Sequence, residues 1–415
     1  MESADVRIRD GMILERGKNL RPRRGEEVED LKEKILMPGF VNAHTHLYSS
    51  LARGMPAPKE PPRNFLEILL KVWWKLDRAL DDEAIYYSAM VGAIEAVRRG
   101  TTTLVDHHAS PRVIKGSLDI VRGALHEVGL RGVLCYEVTD RGGKKERDEG
   151  LDENERFICS QSKDGHFRGL VGAHASFTLN DESLRLCGEL ASTTKTGVHI
   201  HVAEDKCDVA DAEENYRCTV VDRLGEHKIL RKGSILAHCV HLNTRDFLRL
   251  RDAECWLVHN PRSNMNNRVG SAPVEMFGQC AALGTDGLQA DMFEEAKCGF
   301  LKRNDSHKEE TVEMTRLLQG GQRMISELFG VTYGTLAADS AADLVVLDYD
   351  SPTPVTTQNL TSHFLFGMQS SMVGSVMVGG KWVVKNGEVV GVDTRKIYQK
   401  AARVAKRLWE RISKA

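Results

Sequence analysis

The strongest constraint on the fold of this chain is one pattern repeated eight times: a short apolar run that ends in polar residues and is followed by a helical stretch. The runs occupy residues 35–41, 101–105, 132–138, 170–173, 196–202, 234–238, 255–258 and 280–283. Most of them lack in/out alternation, as parallel strands buried on both faces should. Helical stretches are expected over 82–99, 112–128, 152–162, 181–194, 213–230 and 244–252, several opening on Asp or Thr, which are good N-cap residues. Eight strand–helix units predict an α/β protein, a (β/α)8 TIM barrel, with a doubly wound open sheet as the alternative.

The flanks read differently. VRIRDGMILERG near the start, and DLVVL and GSVMVGGKWVVKNGEVV near the end, are short β segments broken by hairpin signals. They are expected to meet in a small composite β-sandwich made of 1–36 and 340–392, beside a barrel of 37–339. An amphipathic helix is expected over 393–415.

Composition bounds the partners. The 57 basic and 59 acidic residues nearly cancel, to a net charge of −2. No basic face for nucleic acid and no apolar run long enough to span a bilayer are expected. The opening MESADVRIRD is not a signal peptide, and nine Cys without a C-x-x-C pair read as reduced thiols. A cytoplasmic location follows as an expectation, and any metal should be held by His and carboxylate.

Four run ends carry such groups. His44 and His46 share one strand face, so both rings can converge on one ion. HIHVAED places His199 and His201 on a face with Glu204 just beyond, which suits a metal ligand beside a proton-shuttling carboxylate. AHCVHL brings His238 and His241, and LGTDG brings Asp286. Singly, each has a structural explanation: core histidines, a capping Glu, a turn Asp. Together, on one rim of one barrel, they predict a shared metal site.

The motifs PGFVNAHTHLYSSLARG, HIHVAED, LAHCVHL, HNPRSNM and LGTDG resemble the amidohydrolase superfamily, in its cytosine-deaminase-like and triazine-hydrolase-like branch. The nearest likeness is to SsnA-type aminohydrolases, a branch whose name is tied to selenium metabolism. The resemblance implies a metal-dependent aminohydrolase (hydrolytic deaminase) acting on an aminated heterocycle. It implies one divalent ion, Zn2+ or alternatively Fe2+, held by His44, His46, His201 and Asp286. Glu204 would shuttle the proton, and His238 and Asp286 would act on the attacking water. Binuclear members carry a bridging Lys after the fourth strand, where this chain has GAHASF; one metal is expected, with His174 a substrate contact. Arg53 and His108 are further expected substrate contacts, and His199, His241 or Asp106 could orient the ligand rings. Trp73 and Trp74 lie in a segment, 54–80, that could cover the pocket, although packing is the plainer role for them. Asn260, Ser263 and Asn264 could shape the loop beside the metal.

Two departures from purine-deaminase relatives stand out: no Gln follows the His pair, and 55–62 is proline-rich rather than acidic. Rival readings are hydrolysis of another leaving group, chloride or a cyclic amide, and a barrel that serves only as a scaffold. A homo-oligomer is expected.

Overall fold

The computed structural model describes residues 4–160, 165–305 and 314–414. A hairpin of β1 (Asp5–Arg9) and β2 (Met12–Gly17) opens the chain. Next come β3 (Ile35–Pro38) and the first barrel strand, β4 (Phe40–Thr45), then β5 (Thr101–His108) and β6 (Arg131–Val138). The short β7 (Phe167–Gly169) precedes β8 (Val171–Ala175), followed by β9 (Val198–Val202), β10 (Ile235–His238), β11 (Trp256–His259) and β12 (Ala281–Leu283). In the order β4-β5-β6-β8-β9-β10-β11-β12 these form a parallel sheet, with β7 alongside the start of β6. The backbone beyond β12 returns to β4, where Thr285 N and Asp286 N donate to His44 O at 2.9 and 3.0 Å, curling the sheet into a nearly closed barrel.

The last segment supplies β13 (Leu344–Leu347), β14 (Val373–Val378), β15 (Lys381–Lys385) and β16 (Glu388–Val389), an antiparallel sheet whose fifth strand is β3. Ile13, Ala342, Leu344 and Met377 form a small core between this sheet and the β1–β2 hairpin.

The run expected as one strand over 35–41 is therefore two. Residues up to Pro38 pair antiparallel with β13, and residues from Phe40 pair parallel with β5. Gly39 is the corner: its N–H donates to Asp343 O at 2.8 Å, and a Cβ there would lie 2.3 Å from Thr102 Cγ2. Only glycine lets the chain change sheets this close to β5.

Helices cover the outside of the barrel, as parallel strands require. Asp82–Arg98, Asp181–Thr194 and Thr244–Asp252 are capped by the side chains of Asp81, Asn180 and Asn243. The helix expected over 213–230 is two, Lys206–Tyr216 and Val220–Glu226. Arg217 adopts φ +59° and ends the first, and Thr219 caps the second. The helix expected over 152–162 begins earlier, as Gly143–Cys159, and the end of that range lies outside the described residues. Met292–Asp305 and Met314–Phe329 complete the ring; neither was among the expected helices, although the second carries an apolar stripe through Met314, Leu317, Leu318, Met324 and Ile325. The terminal helix Thr394–Lys414 is anchored by Trp409, whose Nε1 donates to Leu51 O at 2.8 Å. No helix among the described residues is long and apolar enough to cross a membrane.

The core has two levels. Val105, Val133, Cys135, Ile235, Trp256, Val258 and Ala282 pack with Met324, Ile325 and Phe329 into an apolar plug. By strand alternation Val105 shares its face with His107, and Val133 and Cys135 share theirs with Glu137. The polar groups at the strand ends thus stand on a dry base.

Candidate metal centre

Sequence alternation sends His44 and His46 inward from β4 and His199 and His201 inward from β9. Asp286 follows β12 through Gly284, where a Cβ would lie 2.8 Å from His44 O. The side chains of His44, His46, His201 and Asp286 converge, with one donor atom of each within 4.8 Å of the others.

Each ring is oriented through its outer nitrogen. His46 Nδ1 donates to His107 O at 2.6 Å, and His201 Nδ1 donates to His174 O at 2.7 Å. A carbonyl only accepts, so both rings carry a proton on Nδ1 and turn Nε2 to the centre. His44 Nδ1 meets His199 Nε2 at 2.8 Å, and His199 Nδ1 lies 3.7 Å from Cys135 Sγ. Of the three residues expected to orient ligands, His199 does so. Asp106 instead accepts from Leu47 N at 2.7 Å, and His241 is bound to Val269 O at 2.7 Å, away from the rings.

The inner atoms are only partly satisfied by one another. His46 Nε2 stands 3.1 Å from His201 Nε2 and 2.9 Å from Asp286 Oδ1, and His44 Nε2 stands 3.3 Å from the same oxygen. His44 Nε2 and His238 Nε2 are buried without a hydrogen-bond partner. Ring nitrogens left without a partner in a dry site are costly unless a cation lies among them. Burial pushes the His44 ring down to about 3 and His201 well below the ordinary imidazole range, so both are neutral ligands. Burial also disfavours charge on His46, yet Asp286, Glu137 and the His107 carbonyl outweigh it and raise that ring to about 9. The cluster is built to hold positive charge, and three imidazoles with one carboxylate fit a single zinc-like divalent ion. His107, Glu137 and His201 also lie close together, but His201 Nδ1 is committed to His174 O, so this ring has no second nitrogen for another ion.

Glu204 and His238 stand beside this set. His238 Nδ1 donates to Asn264 Oδ1 at 2.8 Å, which leaves Nε2 an acceptor 3.5 Å from Glu204 Oε2. Glu204 Oε1 accepts from Asn267 at 3.1 Å, and burial pushes this carboxyl up to about 7. Ser263 donates to Asp286 Oδ2. Ala203, His238, Cys239 and Asp286, all at strand ends here, have φ between +46° and +75°. Such backbone is strained for residues with a Cβ and persists only where surrounding bonds enforce it.

The groups open onto a cavity whose lining includes His174 and both Trp73 and Trp74. The tryptophans therefore do more than pack. Arg53 and His108 do not line it: the Arg53 guanidinium is held by Glu95, and His108 Nε2 meets Ser110 Oγ at 2.9 Å inside the wall. Asp77 and Asn267 line it without having been singled out in the sequence. Phe65, Leu69, Trp73 and Asp77 all line it at a helical spacing of four, a stripe that was available to find them.

The chain belongs to the amidohydrolase family, whose model matches residues 35–383. Among its relatives is a 5-methylthioadenosine/S-adenosylhomocysteine deaminase of Caldanaerobacter subterraneus subsp. tengcongensis, 30 % identical over 98 % of this chain and 94 % of that protein. A 5'-deoxyadenosine deaminase of Methanopyrus kandleri is 32 % identical over 92 % of this chain and 89 % of its own length. The fold is shared with a zinc-bound adenosine deaminase of Xanthomonas campestris (TM-score 0.86, 22 % identity, covering 100 % of this chain and 95 % of that one). It is also shared with a zinc-complexed atrazine chlorohydrolase of Arthrobacter aurescens (TM-score 0.83, 20 % identity, 98 % and 96 % covered).

Proposed function

We propose that this chain is a mononuclear metal-dependent aminohydrolase that deaminates an adenine nucleoside altered at its 5′ position. The observation that carries the reading is the inward set His44, His46, His201 and Asp286, flanked by Glu204 and His238, with His46, His201, Glu204 and Asp286 lining one cavity. The substrate class rests on the deaminases named above. Zn2+ is the proposed ion, with Fe2+ the alternative. Bound there, such an ion acts as a Lewis acid and brings the pKa of water down to about 7.

The protein's own groups then divide the proton work. Attack by water on the amino-bearing ring carbon requires one proton to leave the water and one to reach the neighbouring ring nitrogen. Glu204, held by Asn267, donates the proton to that nitrogen. His238 Nε2, kept an acceptor by Asn264, and Asp286 take up the proton that water releases. Returned through Glu204 to the amino group, that proton lets ammonia leave, and the hydroxyl proton released as the carbonyl forms passes to Glu204 and restores its starting state. His174, whose Nδ1 is fixed by Thr178 Oγ1 at 2.6 Å, presents Nε2 to the substrate.

The relatives named above are nucleoside deaminases, so the proposal follows them rather than the SsnA-type branch and its selenium connection. The expected homo-oligomer and cytoplasmic location remain part of it, to be checked by light scattering and cell fractionation. The test is ammonia release from zinc-loaded protein across adenine nucleosides, cytosine, guanine and triazines, beside Glu204→Gln. Ammonia from nucleosides only, abolished by the substitution, supports the reading. Product without ammonia, chloride from a chlorotriazine for example, overturns it in favour of another leaving group. Purified protein with neither metal nor product with any substrate favours the scaffold.

A further inference from the structure

The hydrogen bond between His44 Nδ1 and His199 Nε2 needs a direction, and neither ring fixes it alone. For His44 Nε2 to hold an ion, Nδ1 is the N–H of that ring and donates to His199 Nε2. An imidazole that accepts at one nitrogen carries its proton on the other, so His199 presents Nδ1–H. Among the described residues, the hydrogen-bond partner of His199 Nδ1 is Cys135 Sγ, at 3.7 Å. The thiol in turn donates to Asp106 O at 3.6 Å. Burial and the nearby Asp106 and Glu137 carboxyls push this thiol well above its ordinary range, so the S–H persists.

Resting on the metal centre proposed above, we infer that Cys135 is a positioning residue that sets the polarity of this row and keeps His44 Nε2 free for the ion. The carbonyl at the end only accepts, so the S–H points at Asp106 O and the sulfur turns its lone pairs to His199. Every donor then runs outward, from His44 through His199 and Cys135 to the backbone of β5. Turned the other way, the S–H would point at His199, Asp106 O would lose that bond, and His44 would carry its proton on Nε2, where the ion belongs. Packing does not call for this thiol. Cys135 also belongs to the apolar plug, where a cysteine behaves as one more small apolar residue, and its two polar contacts are what set it apart.

The test measures Zn2+ affinity of the full chain, by competition with a chromogenic chelator, for the wild type, Cys135→Ser, Cys135→Ala and Cys135→Val. A hydroxyl can accept from His199 and donate to Asp106 O, whereas Ala and Val can do neither. The Ala and Val variants should each bind Zn2+ about tenfold more weakly, the lower end of what losing support behind a metal-bound His costs. Cys135→Ser should recover most of that loss. In a His199→Phe background, Cys135→Ala should cost nothing further, because the row is already cut. Thermal melting identifies folded protein, and either of the two apolar variants suffices. Unchanged Zn2+ affinity in the folded apolar variants, a Ser variant as weak as the Ala one, or full additivity with His199→Phe overturns the role of Cys135 and leaves the metal centre intact. Wild-type protein that takes up neither Zn2+ nor Fe2+ overturns both.

Discussion

Two buried polar clusters sit at opposite ends of the barrel, and only one of them is complete. At the start of β6, Arg131 donates to Asp343 through Nε at 3.0 Å and Nη2 at 3.3 Å. Gly379 N donates to the same carboxylate at 2.7 Å, and Tyr333 lies under the guanidinium at 5.3 Å. This pair joins the barrel to the terminal sheet, and its charges are matched within the chain. At the strand ends, His44 Nε2 and His238 Nε2 have no partner, and His46 Nε2 and His201 Nε2 stand 3.1 Å apart beside the Asp286 carboxylate. Both clusters are dry and highly polar. The difference between them is satisfaction, which separates a structural joint from a ligand site better than burial or charge does.

That contrast can be broken by substitution. The largest effect should come from Glu204→Gln, which keeps size and the Asn267 contact but removes the titrating group: kcat falls about 10²–10⁴-fold, while the melting temperature hardly moves. A steady-state assay beside a thermal melt checks this, and a large loss of stability would make Glu204 a structural residue. Arg131→Met should do the reverse, costing about 3–5 kcal/mol by stranding Asp343, with kcat per folded molecule kept. Denaturant unfolding and active-site-normalised rates distinguish the two. Stripping the metal with a chelator should also lower the melting temperature, since an ion that binds only the folded chain stabilises it. Asn264→Ala frees His238 Nδ1, and the expected loss is about 10- to 100-fold in activity, typical of a group that orients a site imidazole.

A smaller effect concerns pH. Asp208 is buried, and desolvation pushes it up to about 7 despite the Ala203 and Phe177 N–H groups that bond its oxygens. Between its unfolded value and about 7 the folded chain keeps the proton that the unfolded chain has lost. Stability therefore falls as pH rises through that window and levels off above it. Asp208→Asn should flatten this slope, as read from denaturation midpoints across the range; an unaltered slope would assign the effect to other buried carboxyls. Smallest of all, Arg53→Ala should change kcat/KM little and stability by less than about 1 kcal/mol, because it loses one partly exposed ion pair with Glu95.

Much of the scaffold could be read locally. The helices Asp181–Thr194 and Thr244–Asp252 match their expected bounds because their caps, Asn180 and Asn243, are adjacent in sequence. The break at Gly39 could not be read, because what forces it is Thr102 and Asp343, far along the chain. Asp77 was hidden for a similar reason: its partner Arg141 lies 64 residues away, and by itself it is one acid on a helix. Arg53 misled, since an arginine after the His pair is as readily an ion-pair partner for Glu95 as a substrate contact.

By itself the sequence determined which residue types stand at the strand ends and which share a face, because alternation along a strand is a local consequence of backbone geometry. Alternation does not say which residue of a pair reaches the ion. Within β9, residues two apart lie about 6.6 Å apart along the strand and occupy successive layers, whereas β4 ends at Thr45 and His46, just past it, joins His44 at the centre. The stagger between strands decides which layer is the metal's. His201, level with Ala237 of β10, reaches the centre, whereas His199, level with Ile235, lies behind His44 and orients it. That choice belongs to pairing between distant strands, and only the closed barrel makes it.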